Sequence, residues 1–263
     1  MATGDPMASV TLDITGAIAR VRISNPGKRN AFTWGMYDQL EAACKAITVD
    51  KAVRVAVLQG DSEGGFAAGT DIRQFTTFTT AEDGIRYEER VAAVLGVLAA
   101  VPVPTIAMVQ RDAVGAGLAI TVMCDIVVAE RGSRFGAPIA RTLGNCLPIA
   151  VVGRLRSRLG VSLAMSMLLT ARLLDAEDLS KTGFVSLVVE PHELESEVER
   201  IAERVSAAAP LTIRALKEMS RRLDAAQTLP NAEDLLALCY GSNDFHEGVT
   251  AFVDRRRPEW SGR

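Results

Sequence analysis

The sequence predicts an α/β fold, parallel β–α layers followed by a helical C-terminal piece. Three observations predict it. Short apolar, β-branched runs alternate with helical patterns over about the first 190 residues. From Pro191 onward every patterned segment has a helical period. The stretch Val103–Ile126 reads as a buried strand, a tight turn and an apolar helix that opens on Gly115, Ala116 and Gly117. The expected division is residues 1–190 as core and 191–263 as a helical C-terminal region.

In chain order, Val10–Ile14 and Ala17–Ile23 alternate around Thr15-Gly16 and predict a hairpin. Asn25-Pro26-Gly27 is a turn. A helix over Trp34–Thr48 follows, with Thr33 as N-cap and Leu40, Cys44 and Ile47 on its apolar stripe. Val53–Gln59 is a strand, and Ala81–Ala100 a helix stopped by Pro102 and Pro104. Thr105–Val109 and Val127–Ala129 are short strands. Pro148 opens a helix carrying Arg154, Arg156 and Arg158, another covers Ser162–Leu169, and Asp175 caps Ala176–Lys181, ended by Thr182-Gly183. Val185–Val189 is the last strand, and helices over His192–Ala208, Leu211–Ala226, Ala232–Tyr240 and Phe245–Arg255 complete the chain.

Composition narrows the function classes. The 263 residues suffice for a buried core. A net charge of −3 and pI near 5.6 argue against nucleic acid as partner. Cys44, Cys124, Cys146 and Cys239 are far apart, with no C-x-x-C pair, so neither a zinc site nor a disulfide framework is suggested. Met1–Ala8 lacks a signal-peptide pattern, and the apolar run Ala113–Ala129 is short for a membrane span and broken by Asp125. A cytoplasmic protein without a membrane or nucleic-acid partner is expected.

Several stretches carry a resemblance. Phe66-Ala67-Ala68-Gly69-Thr70-Asp71-Ile72 looks like an F-x-A-G-x-D-[IL] loop, and Asn25-Pro26-Gly27-Lys28-Arg29-Asn30-Ala31-Phe32 like an N-P-x-x-x-N-A-[LF] segment. Gly115-Ala116-Gly117 with Cys124-Asp125-Ile126 is similar to G-G-G-x-E-L-A-x-x-C-D-I. Glu247–Phe252 and Arg256–Trp260 match E-G-x-x-A-F and K-R-x-P-x-[FW]. In this order they resemble the crotonase, or enoyl-CoA hydratase/isomerase, superfamily over nearly the whole chain. The resemblance implies a crotonase-like spiral of ββα turns with a helical C-terminal trimerisation region, assembled as a homotrimer or dimer of trimers. The faces around Leu235, Leu236 and Leu238 are candidates for that contact or for core packing. It also implies an acyl-CoA thioester as ligand, with coenzyme A as part of the substrate and no separate cofactor or metal.

The implied chemistry begins with two backbone N–H groups, at Thr70 and Ala116, that polarise the thioester oxygen and stabilise an enolate. Read from the residues alone, both loops are also compatible with tight turns. The unpaired N–H groups at a helix start can hold an oxyanion. The resemblance further places Lys28, Arg29, Ala31, Ala68, Gly69, Asp71, Ile72, Gly115, Pro138, Ile139, Phe252 and Arg256 along the ligand. Arg255, Arg256 and Arg257 can reach phosphate through their planar forks or simply complement a helix end. Asp71 reads as a hydrogen-bonder orienting its loop.

The acid/base positions depart from the hydratase pattern. Ala119 and Ile139 stand where that family has its two glutamates, and neither side chain transfers protons. Ile139–Cys146 is about one residue longer than the corresponding hydratase stretch. Asp112, Arg141, Asn145 and Cys146 are the replacement candidates. Each also has a plain reading: Asp112 as a solvated turn residue, Arg141 as an ion-pair partner, Cys146 as a buried thiol. His192 and His246 read as surface residues, and no Ser-His-Asp triad is supported. Two classes remain: an acyl-CoA enzyme of fatty-acid metabolism (hydratase, double-bond isomerase, dehydratase or thioester hydrolase, a lyase or isomerase by family), or a non-catalytic acyl-CoA-binding homologue.

Overall fold

A computed structural model describes residues 7–61, 63–226 and 231–263. The hairpin β1 (Ser9–Thr15) and β2 (Ile18–Ser24) is followed by α1 (Trp34–Val49), whose Thr33 hydroxyl accepts from the Met36 amide. Then come β3 (Val55–Gly60), α2 (Ala81–Ala99), β4 (Thr105–Val109), β5 (Asp112–Val114), α3 (Ala116–Met123), β6 (Ile126–Glu130), β7 (Arg134–Gly136) and α4 (Ile139–Thr142). The chain continues through α5 (Ile149–Leu159), α6 (Val161–Thr170), β8 (Leu174–Asp175), α7 (Ala176–Ser180) and β9 (Leu187–Val189). It ends in α8 (Leu194–Ser206), α9 (Pro210–Ala225), α10 (Glu233–Tyr240) and α11 (Asn243–Val253).

Six strands form one sheet in the order β1-β2-β3-β4-β6-β9, parallel after the opening hairpin. A second sheet orders β5-β7-β8. The connections explain both. After β4 the chain turns at Arg111, with φ of 53°, and enters β5; after β6 it turns at Gly132, with φ of 81°, and enters β7. Each repeat therefore steps from the first sheet into the second and returns through a helix. The preceding repeat follows the same course, because Ala67 pairs with Ala113 as an isolated parallel bridge. This is the spiral of ββα turns that the resemblance implies.

The core follows from the burial of β3 and β4 on both faces, which explains their continuous apolar runs. One face packs against α1, α2 and α3 through residues such as Leu40, Leu58, Leu95 and Ile120. The other packs against α8 through Val57, Ile106, Val128, Leu194 and Val198. β5, β7 and β8, of three, three and two residues, were not expected from the sequence, because a period cannot show itself in so few residues. Asp112, read as a turn residue, opens β5. Helix α8 begins at Leu194, after a 3-10 turn at Pro191–Glu193.

Candidate active site

Two loops at the ends of the parallel strands are tied together by backbone and amide groups. The Asn25 amide donates to Asn30 Oδ1 at 2.8 Å, and Asn30 Nδ2 donates to the Gly65 carbonyl at 2.7 Å. The two asparagines of the N-P-x-x-x-N-A segment thus fasten that turn to the first glycine-rich loop. Phe32 then brackets the loop: its N–H donates to the Gly69 carbonyl, and its carbonyl accepts from the Asp71 N–H, both at 2.8 Å. Thr70, between them, keeps its N–H free of any partner among the described residues. Asp71 caps the following 3-10 turn, accepting from the Arg73 amide at 3.2 Å.

The second loop is built the same way. Val114 donates to the Ala67 carbonyl and Gly115 to the Gly136 carbonyl, both at 2.9 Å. Ala116 then opens α3, and its N–H makes no hydrogen bond among the described residues. Each free amide follows a glycine in a conformation that L side chains resist, Gly69 at φ 115° and Gly115 at φ 56°. The two glycines touch: a Cβ on Gly115 would lie 3.3 Å from the Gly69 Cα. Gly117 completes the approach, since a Cβ there would sit 2.3 Å from the Ala67 carbonyl oxygen. Two unpaired N–H groups on touching loops, one at the positive end of α3, make a candidate site for a developing oxyanion.

The remaining candidates act through side chains. Ala119 is buried in α3, and Ile139 opens α4 directly after Pro138. Asp112 forms a two-point ion pair with Arg134, at 2.9 and 2.8 Å, and the Arg134 pKa is raised by it. Arg141 is exposed, with no carboxylate within 4.0 Å among the described residues. Asn145 donates to the Tyr240 hydroxyl at 3.2 Å, and its own Oδ1 is buried without a partner among the described residues. The neighbouring Cys239 and then burial hold the Cys146 thiol well above its ordinary pKa, so it keeps its proton. Of the four replacement candidates the structure brings Asn145 and Cys146 together; no hydrogen bond joins Asp112 or Arg141 to them.

Sequence reasoning missed Glu88. It lies on α2, 3 % exposed, and accepts a hydrogen bond from Tyr240. Burial pushes its carboxyl up to about 8. The helix neighbour Tyr87 reaches the first loop: Thr70 Oγ1 lies 2.8 Å from the Tyr87 hydroxyl and 2.7 Å from the Tyr37 hydroxyl. Burial raises both phenols, Tyr37 to about 12. Gly84 admits Tyr240 to α2, because a Cβ there would fall 1.9 Å from the Tyr240 ring. The missed signal is Glu88's spacing, since Gly84, Tyr87, Glu88, Val91 and Leu95 share the buried stripe of α2.

The ligand-side candidates are dispersed. Lys28 and Arg29 are exposed in the first turn, Ala31 and Ala68 are half-buried, Ile72 is buried, and Phe252 is exposed on α11. Arg256 forms a two-point ion pair with Glu247, at 2.5 and 2.7 Å, and Glu247 also accepts from the Glu259 amide at 2.8 Å. The last two motifs therefore bind each other and fold the tail back onto α11. Gly248 lets α11 meet the altered loop, for a Cβ there would lie 2.5 Å from the Leu143 carbonyl oxygen. A cavity of about 630 Å³ between α2, α5 and α9, lined by Leu95, Gly96, Arg154 and Lys217, involves neither glycine loop.

The family model for enoyl-CoA hydratase/isomerase matches residues 13–263. A protein of Dictyostelium discoideum named "Probable enoyl-CoA hydratase, mitochondrial" is 31 % identical over 256 residues, 96 % of this chain and 91 % of its own length. A solved enoyl-CoA hydratase/carnithine racemase from Magnetospirillum magneticum superposes with a TM-score of 0.80 at 31 % identity, covering 98 % of this chain and 97 % of that one. A methylmalonyl-CoA decarboxylase in complex with 2-nitronate-propionyl-CoA gives a TM-score of 0.87 at 25 % identity, covering 97 % of this chain and 98 % of that one.

Proposed function

The chain belongs to the enoyl-CoA hydratase/isomerase family, and from that premise we propose that it binds an acyl-CoA thioester with the carbonyl oxygen between the Thr70 and Ala116 amides. The observation that carries this is the pair of N–H groups, unpartnered among the described residues, behind Gly69 and Gly115. Such donors favour the state in which charge has moved onto the oxygen, so they lower the barrier to an enolate rather than merely bind the ester. Backbone donors work with any side chain, which is why threonine and alanine serve. Water addition by a pair of glutamates is not the chemistry of this site, because Ala119 and Ile139 hold no transferable proton. Coenzyme A enters as part of the substrate, with Lys28 and Arg29 beside its phosphates and no further cofactor required. A homotrimer or dimer of trimers would cover the exposed Leu235 and Leu238 of α10, while Leu236 packs against the core.

Titration calorimetry tests the reading. Heat is expected with butyryl-CoA and phenylacetyl-CoA, and none with butyrate or phenylacetate. The absence of heat with either thioester at millimolar concentration would overturn it. Light scattering should report three or six copies; a monomer across a wide concentration range would remove the assembly proposal alone.

A further inference from the structure

Glu88 is the one charged residue that is buried among the described residues, and it belongs to no ion pair there. An isolated carboxylate in such a place costs several kcal/mol, so a chain with no use for the acid would be better served by glutamine or leucine. The groups that face it are Tyr87 from α2, Tyr37 from α1, Tyr240 from α10 and Cys146 from the altered loop, none of them a cation. Burial raises the carboxyl to about 8, which leaves it able both to hold and to release a proton near neutral pH.

Its placement is as telling as its burial. On one side, the adjacent Tyr87 hydrogen-bonds the hydroxyl of Thr70, the residue that supplies the first free amide. On the other, Tyr240 joins Glu88 to Asn145 in the loop that departs from the hydratase pattern. The rings of Phe245 and Phe78, with centroids 4.8 and 6.4 Å from that of Tyr240, keep water from the pair. Glu88 therefore stands between the oxyanion loop, reached through its neighbour Tyr87, and the altered loop, reached through Tyr240.

We infer that Glu88, hydrogen-bonded by Tyr240, is the acid/base group of this active site and exchanges a proton with the α-carbon of the bound acyl-CoA. This rests on the thioester reading above. In the step, the Glu88 carboxylate takes the α-proton and an O–H bond forms as the C–H bond breaks. The C–H electron pair becomes the new carbon–carbon π bond, and the carbonyl π pair moves onto the thioester oxygen, facing the Thr70 and Ala116 amides. Return of the proton to the same carbon, or to another carbon of the conjugated enolate, closes the cycle without a co-reactant.

The experiment follows loss of the α-proton signal of butyryl-CoA and phenylacetyl-CoA in D2O by NMR, with calorimetry on the same samples. Wild-type protein should exchange the α-proton, with a rate that climbs with pH through a midpoint near 8 and levels off above it. Glu88→Gln, which keeps shape and a hydrogen-bonding partner for Tyr240, should bind both thioesters as wild type does and exchange at least about 100-fold more slowly. Tyr240→Phe removes a donor that favours the carboxylate, so the midpoint of its pH profile should move upward. If Glu88→Gln loses the fold, that midpoint decides. Exchange by Glu88→Gln at the wild-type rate, an unmoved midpoint in Tyr240→Phe, or wild-type binding without exchange would each overturn the assignment. Failure of wild type to bind either thioester would instead bring down the reading on which it rests.

Discussion

The two walls of the candidate site are specified in different ways. One is backbone: Gly69–Thr70 and Gly115–Ala116 present N–H groups whose position depends on φ angles and on the absence of Cβ atoms. The other is side chain: on the proposed reading, Ala119, Ile139, Asn145 and Glu88 would decide whether a proton can move. The glycine loops resemble the family's motifs, while alanine and isoleucine stand at the positions that the resemblance gives to its two glutamates. A charge-stabilising site made of amides tolerates such change because removing a carboxylate leaves the amides in place.

The comparison breaks most visibly in a hydration assay. With alanine and isoleucine at both glutamate positions, each missing group is worth about 10²–10⁴ in rate, and crotonyl-CoA hydration by this enzyme should be slow or absent. Ala119→Glu with Ile139→Glu should raise it, and either change alone should not. Ala119 is 4 % exposed, so a single glutamate there would be buried without its partner and would stay protonated. Wild-type hydration at the rate of a two-glutamate enzyme would show that the side-chain wall retains an acid of the ordinary kind.

The backbone wall is tested by Gly117→Ala. Gly117 is the second residue of α3, where the preference of a helix for alanine over glycine is at most about 1 kcal/mol. Here its Cβ would lie 2.3 Å from the Ala67 carbonyl oxygen, and overpacking of that sort costs about 1–3 kcal/mol. The clash should win. The melting temperature should fall, and calorimetry should show weaker thioester binding as the first loop moves away from α3. Gly96→Ala in α2 has nothing within 4 Å of the new Cβ and should be neutral or stabilising. A Gly117→Ala protein with wild-type binding would mean that the two loops need not touch.

These two walls were unequally legible in the sequence. Strand β4 and the cap Thr33 follow from local pattern, and so does the opening of α3 at Gly115. Glycine in a tight loop is a strong local signal and drew notice to both loops, while the resemblance pointed to the Thr70 and Ala116 amides. The proposed acid was invisible to local reading because Tyr240 lies 152 residues from Glu88, and only the closed fold joins them. Asp112 drew notice as a carboxylate near the second loop, yet its partner Arg134 comes from a three-residue strand too short to be foreseen. A charged residue at core spacing on α2 was the available clue to Glu88.

Stability against pH separates the walls further. The Glu88 carboxyl is raised from its ordinary 4.5 to about 8 in the folded chain, so the folded state holds a proton that the unfolded state has released. This group's contribution is full below 4.5 and is lost as pH rises through 8. One proton corresponds to a slope of about 1.4 kcal/mol per pH unit within that window. Wild type should therefore lose stability between pH 5 and 8 relative to Glu88→Gln in chemical denaturation. Equal slopes would place the Glu88 pKa at an ordinary value. Glu218 and Glu247, held at about 2 by Arg221 and Arg256, act in the opposite direction and below that window.

The smallest effect expected is at the tail, which belongs to neither wall. Arg256 is the arginine that the resemblance points toward a CoA phosphate, yet both arms of its fork are held by Glu247. An exposed pair of this kind adds little to stability because water screens it, so Arg256→Ala should hardly change the melting temperature. If the guanidinium stays with Glu247 when ligand binds, the variant should also bind butyryl-CoA and the shorter butyryl-pantetheine as wild type does. If it turns to phosphate, the variant should lose affinity for butyryl-CoA alone, and raising the salt concentration should shrink the difference. Glu247→Gln sharpens the choice, because freeing Arg256 should then strengthen butyryl-CoA binding relative to wild type. Unchanged calorimetry in both variants would leave the ion pair a fastener of the C-terminal tail, and phosphate recognition would fall to Lys28 and Arg29.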